Sequence, residues 1–209
     1  MLEMEQVLWA VGLRGERARY TFNTFPRTEA NGWVVDAAQR WVAANPKPTR
    51  GLVLVGPPGI GKSGLAAAVL REAVNLGRQD PVWAKLLELR TALRQPVERG
   101  ELLHRPVFGW FEDWGELSNR LMFKRDGALM GDLLMLQTLV LDDIDASAPS
   151  DTRNALLKRL VDREFPTIVT ANHAPDLLAS RVGDRVADRL KDFAVLFWQA
   201  PSERGRVQY

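Results

Sequence analysis

Short apolar runs alternate with longer stretches whose apolar residues recur about every 3.6 positions, and this alternation organises the chain from residue 51 onward. The runs Gly51–Val55, Pro106–Phe111, Thr138–Leu141, Pro166–Thr170 and Phe193–Trp198 are largely apolar throughout, which suits strands covered on both faces. Between them, Gly61–Leu76, Trp114–Phe123, Ser150–Glu164 and Pro175–Leu190 carry the helical period. In the third of these, Leu156, Leu157, Leu160 and Val161 form a core-facing stripe, and Ser150 and Asp151 offer an N-cap. Strand and helix in alternation predict an α/β fold with a parallel, doubly wound sheet.

Two regions stand outside this rhythm. An insertion around Gly77–Arg105 separates the first two strands and predicts a helix over Pro81–Arg94, with Val82, Leu86, Leu89 and Leu93 along one side. Ahead of the first strand lie a short helical piece, an extended Tyr20–Phe25 stretch and a helix near Gly32–Ala44, which Asn45-Pro46-Lys47-Pro48 ends. At 209 residues the chain is sized for one core, 46–200, with an N-terminal extension over 1–45 and a tail over 201–209.

Composition narrows the chemistry. Apolar residues at 46% and charged residues at 26% give the balance of a folding globular chain. With no cysteine there is no disulfide or thiolate metal site, and His104 and His173 are too isolated in sequence to suggest zinc. No apolar run reaches the roughly 18 residues a membrane helix needs, and the acidic start Met1-Leu2-Glu3-Met4-Glu5 is unlike a signal peptide. The expected location is the cytoplasm, away from membranes. A net charge of +2 with a pI of about 9.1 leaves both a solvated surface and nucleic-acid contact open.

The strongest signal is Gly56-Pro57-Pro58-Gly59-Ile60-Gly61-Lys62-Ser63, which fits G-x-x-x-x-G-K-[ST] between an apolar strand and a helix. Glycines let the backbone curl so that successive N–H groups face inward, and the following helix N-terminus adds positive potential; the natural occupant is phosphate. Lys62 is expected on the β- and γ-phosphates of ATP and the Ser63 hydroxyl on Mg²⁺. Gly64, with Ala66, Ala67 and Ala68, is expected to let that helix pack closely on the sheet.

Thr138-Leu139-Val140-Leu141-Asp142-Asp143 is a buried strand ending in two carboxylates, the form of a Walker B element. Asp142 is expected to hold a Mg²⁺-bound water, and Asp143 to orient or activate the attacking water. Many ATPases carry Glu at the second position, so the shorter Asp143 bears on hydrolysis rate more than on binding. Asp145 reads as a turn residue, with a reserve role beside Asp143. Thr167-Ile168-Val169-Thr170 ends in Ala171-Asn172, whose amide either forms a turn or faces the γ-phosphate. In Gly183–Leu190, Arg185 and Arg189 share a helical face, which suits surface ion pairs with Asp184 and Asp188 or contact with a neighbour.

Taken in order, GPPGIGKS, TLVLDDID, TIVTAN and VGDRVADRL resemble the AAA+ ATPases of the DnaC-type helicase loaders and IstB-type transposition helpers, over roughly residues 17–200. That resemblance implies a five-stranded parallel sheet in the order 5-1-4-3-2, no C-terminal helical lid, and ATP bound between subunits of a homo-oligomer. It also implies Asn172 as first sensor and Arg189, helped by Arg185, as the finger reaching the neighbouring site. Expected partners are single-stranded DNA and a replicative helicase, with a transposase as the alternative. DNA contact in such proteins lies between the second and third strands, where this chain has Trp114, Arg120, Phe123, Lys124 and Arg125; core packing suits the two aromatics equally. Lys85, Arg90, Arg94 and Arg99 of the insertion are open to solvent, DNA or a partner. A small-molecule P-loop kinase, with its arginines acting in cis, and a nucleotide-gated adaptor that barely hydrolyses ATP are the remaining readings.

Overall fold

Side chains alternate across a strand, so a strand apolar at every position must be covered twice. The computed structural model, which describes residues 7–9, 11–44, 49–79, 109–123, 127–173 and 175–198, shows this for β1 (Gly51–Val55), whose residues are all buried. Leu52 and Leu54 face one core with Val140 and Ile168. Val53 and Val55 face the other with Leu139, Leu141, Val169 and Ala171. Burying each such side chain contributes roughly 1.5–3 kcal/mol.

The remaining strands are β2 (Trp110–Asp113), β3 (Leu139–Asp142), β4 (Thr167–Ala171) and β5 (Ala194–Phe197). They form a five-stranded sheet in the order β2-β3-β4-β1-β5, with every pairing parallel. This is the order implied by the family resemblance. Strand β2 runs on to Asp113, in register with Asp142, while positions 106–108 of the expected strand lie outside the described residues.

One face is covered by α1 (Gly32–Ala43), α2 (Lys62–Gln79) and the chain's leading segment, whose Val7, Leu8, Val11 and Leu13 are buried. That segment lies against the sheet edge, the Phe111 N–H donating to Val11 O at 2.8 Å. The Tyr20–Phe25 stretch is a tight turn rather than the expected extended run. Thr21 and Thr24 each accept the other's backbone N–H through their hydroxyls, at 2.9 and 3.0 Å, a local competition that these short polar side chains win over extension. The turn buries Phe22 and Phe25.

The other face carries α3 (Trp114–Phe123), α4 (Gly127–Leu134), α5 (Asp151–Val161), α6 (Pro175–Val182) and α7 (Asp184–Leu190). Helix α4 is absent from the sequence reading, since its two glycines disguise a short apolar stripe of Leu129, Met130 and Leu133. The single helix expected over Pro175–Leu190 is two helices broken at Gly183. There φ is +84°, and an added Cβ would lie 2.8 Å from Asn154 Nδ2. Ser150 caps α5 as expected, its hydroxyl accepting the Arg153 N–H at 3.2 Å. The predicted helix over Pro81–Arg94 lies outside the described residues. Among those described, no helix is long and apolar enough to cross a membrane.

Helix α5 stops at Val161, short of the expected Glu164, because Arg163 turns into the interior. Its guanidinium donates to the carbonyls of Leu133 and Leu136 at 2.6 Å each, of Phe165 at 2.9 Å and of Pro166 at 3.0 Å. Burial pushes Arg163 down to about 9, which still leaves it cationic at neutral pH. It thereby ties the end of α4 to the lead-in of β4. Arg163→Met strands these carbonyls and is expected to cost about 2–4 kcal/mol in urea unfolding, with Arg163→Lys recovering only part. An unchanged midpoint for Arg163→Met would contradict this assignment.

Candidate functional site

A loop that must turn sharply between a buried strand and a helix needs residues that tolerate left-handed backbone, and β1 feeds such a loop directly into α2. Gly61 has φ +103°, and a Cβ there would lie 3.3 Å from the Phe25 ring. Pro57 and Pro58 are exposed and Gly59 is half-buried, while Ile60 anchors the loop in the core. Gly56 fixes the loop's start, its N–H donating to Ala171 O on β4 at 3.2 Å. Ser63 is half-buried in the first turn of α2. Gly64 does not serve the sheet as expected; a Cβ there would meet the Tyr20 ring at 3.1 Å, so it admits the leading turn instead.

Lys62 is 4% exposed. Its Nζ donates to Gly56 O at 2.8 Å, to Pro57 O at 3.0 Å and to Asn172 Oδ1 at 2.9 Å. An ammonium this buried is stabilised only by such a set of oxygens. The same donors could serve the oxygens of a phosphate group entering the loop.

The carboxylates lie across β4 from the loop, at the end of β3. Asp142 is buried at the end of β3; its Oδ1 accepts from the Thr170 hydroxyl at 2.7 Å and its Oδ2 from Arg17 Nη2 at 3.3 Å. Thr170 Oγ1 in turn accepts the Asp143 N–H at 2.9 Å. One hydroxyl on β4 therefore fixes both acidic residues. Asp143 sits at φ +55°, a conformation that Asp tolerates better than most residues. Desolvation, and then the neighbouring Asp142 charge, hold Asp143 above the usual carboxylate range, with Lys62 and the Asn172 hydrogen bond pulling it back.

Asn172 completes the cluster, its Nδ2 donating to Asp143 Oδ1 at 3.3 Å. Three segments far apart in sequence thus meet through one amide: the phosphate loop, the end of β3 and the end of β4. Asp145 stands in the expected turn, but its side chain is fully buried and reaches across to the backbone of Asn172 and His173. Sequence reasoning passed over Thr170 and Arg17. The first left a faint signal, a hydroxyl near the end of an apolar strand; the second left none, since its contact spans 125 positions.

Other expected residues lie elsewhere. Arg185 and Arg189 are both exposed on α7, and Arg189 Nε pairs with Asp162 Oδ1 at 3.0 Å. Arg120 pairs with Glu112 at 3.1 Å and borders a cleft of about 400 Å³ beside Arg14 and Arg17. Trp114 is 2% exposed and belongs to the core, which removes it from any stacking surface. Phe123, at the end of α3, is 82% exposed. Lys124 and Arg125, like Lys85, Arg90, Arg94 and Arg99, lie outside the described residues.

Residues 52–191 match the ATPase family associated with various cellular activities (AAA). The chain belongs to the AAA family. Membership implies nucleotide binding. No curated protein matches this AAA chain. Among solved structures, the DnaC helicase loader superimposes with a TM-score of 0.65 at 21% identity, covering 90% of this chain and 100% of that one. DnaI gives 0.61 at 21% identity, covering 88% and 92%. AMPPCP-bound DnaA from Aquifex aeolicus gives 0.65 at 15% identity, covering 86% of this chain and 50% of that one. At these identities the likeness is one of fold.

The Thr170 bridge is separable by near-isosteric replacement. Thr170→Val leaves the Asp143 N–H without its acceptor and is expected to lose about 1–3 kcal/mol in urea unfolding, whereas Thr170→Ser stays within about 1 kcal/mol of wild type. Equal stability of the valine variant and wild type would show that the hydroxyl does not hold the pair.

Proposed function

We propose that this AAA protein is a Mg²⁺-dependent ATPase that binds DNA and loads a replicative helicase. The observation that carries the ATPase reading is the contact of Asn172 with both Lys62 and Asp143, at 2.9 and 3.3 Å, which gathers the phosphate-binding and carboxylate motifs into one cluster. In the Gly56–Gly64 loop the backbone N–H groups from Gly59 onward cradle the phosphates, since Pro57 and Pro58 carry none and the Gly56 N–H is held by Ala171 O, and Lys62 places its charge on the β- and γ-phosphates. The Ser63 hydroxyl and Asp142 would hold Mg²⁺, Asp142 through a bound water. Bound there, Mg²⁺ would supply positive charge beside the phosphates. Asp143 orients the attacking water, and Asn172 holds that water or the γ-phosphate in line.

Arg189 completes the site from a neighbouring subunit, with Arg185 beside it. Both are exposed, and the ion pair of Arg189 with Asp162 joins partly exposed groups, which is weak enough to exchange for a phosphate. This favours action in trans over the cis arrangement of a small kinase. The loader assignment draws on the fold shared with the DnaC helicase loader over nearly the whole chain. Single-stranded DNA is met by Phe123, stacking on a base, and by Arg120, Lys124 and Arg125 along the backbone.

ATP turnover measured against protein concentration tests the assignment. The rate per subunit is expected to rise with concentration and to fall by about 10²-fold or more in Arg189→Ala, in line with arginines supplied in trans elsewhere. A rate per subunit independent of concentration and untouched by Arg189→Ala would sink the trans site. For the partner, capture of a hexameric replicative helicase in the presence of ATP supports loading, and capture of a transposase in its place would transfer the chain to the transposition helpers.

A further inference from the structure

We infer that Asp145 is a positioning residue for the hydrolytic site, acting through Asn172. This rests on the ATPase reading above and adds to it the group that holds the sensor amide in place. The side chain of Asp145 is fully buried (0% exposed), and its partners lie on the connection leaving β4. Asn172 N donates to its two oxygens at 3.0 and 2.9 Å. His173 contributes its backbone N–H at 2.8 Å and stands with Nδ1 2.6 Å from Oδ2. A buried carboxylate needs several donors, and here the loop that carries Asn172 supplies them.

The consequence reaches the amide itself. Asn172 presents Oδ1 to the Lys62 ammonium at 2.9 Å and Nδ2 to Asp143 at 3.3 Å and Asp145 at 3.4 Å. With a cation on one side and carboxylates on the other, only one of the amide's two orientations pairs donors with acceptors. Asp145 therefore fixes both where Asn172 stands and which way its amide points. Its hydrogen bonds go to Asn172 and His173 on the connection after β4, so its removal should disturb the hydrolytic step more than nucleotide uptake.

Asp145→Asn keeps the shape but turns one acceptor oxygen into an NH₂ group facing N–H donors. Single-turnover hydrolysis is expected to slow about tenfold or more, while MgATP binding by calorimetry changes less than about threefold. Because Asp145 acts through Asn172, the double variant Asp145→Asn/Asn172→Ala should hydrolyse as slowly as Asn172→Ala alone, without a further loss. Asp145→Ser, smaller and uncharged, gives the same readouts should the asparagine variant fail to fold.

An Asp145→Asn rate within about twofold of wild type overturns the inference, as do losses that multiply in the double variant or a parallel collapse of rate and binding. Wild-type protein that takes up no ATP overturns it together with the ATPase reading. Wild-type turnover with an indifferent Asp145 overturns this inference alone.

Discussion

A buried ammonium must be surrounded by oxygen, and in this protein that requirement ties Lys62 to the carbonyls of its own loop and to the amide of Asn172. Asn172 then reaches Asp143, whose backbone N–H is held by Thr170, which also bonds Asp142. A single connected set of hydrogen bonds thus runs from the phosphate loop to the acidic strand end and back through β4. Such a network is stable only when every member is satisfied, which makes each of its residues depend on the register of β1, β3 and β4.

The sheet supplies that register. Pairing β4 between β3 and β1 places Ala171 beside Val55 and brings Asp142, Thr170 and Asn172 to the same end of the sheet as the phosphate loop. Open parallel sheets gather their ligand sites at the carboxyl ends of the strands, and the chemistry here follows that rule. The buried Arg163 reinforces the arrangement from the opposite end of β4, joining the close of α4 to Phe165 and Pro166.

How much of this could be read from residues alone depended on whether each feature is local. Strand β1 and helix α3 match their expected bounds, because uniform apolar content and the helical period are properties of neighbouring residues. The phosphate loop, Asp142 and Asn172 were legible because each stands at the end of such an element. What escaped depends on distant or competing contacts. The Thr21–Thr24 hydroxyl exchange overrode an apparently extended stretch, Gly183 divided a continuous helical period, and Arg17 meets Asp142 only after the leading segment has folded over the sheet edge. Trp114 shows the same limit, since its sequence neighbours suit a surface as well as the core it occupies.

In the proposed function, the loop at Gly56–Gly64 is a receptor for a Mg²⁺-nucleotide whose charge is met by Lys62. Calorimetric titration of ADP with Mg²⁺ into the folded protein, alongside Lys62→Ala, tests it most directly. A single saturable site in wild type that weakens by about tenfold or more in the variant is the predicted result. No uptake by folded wild type, or an affinity indifferent to the loss of the ammonium, would contradict it.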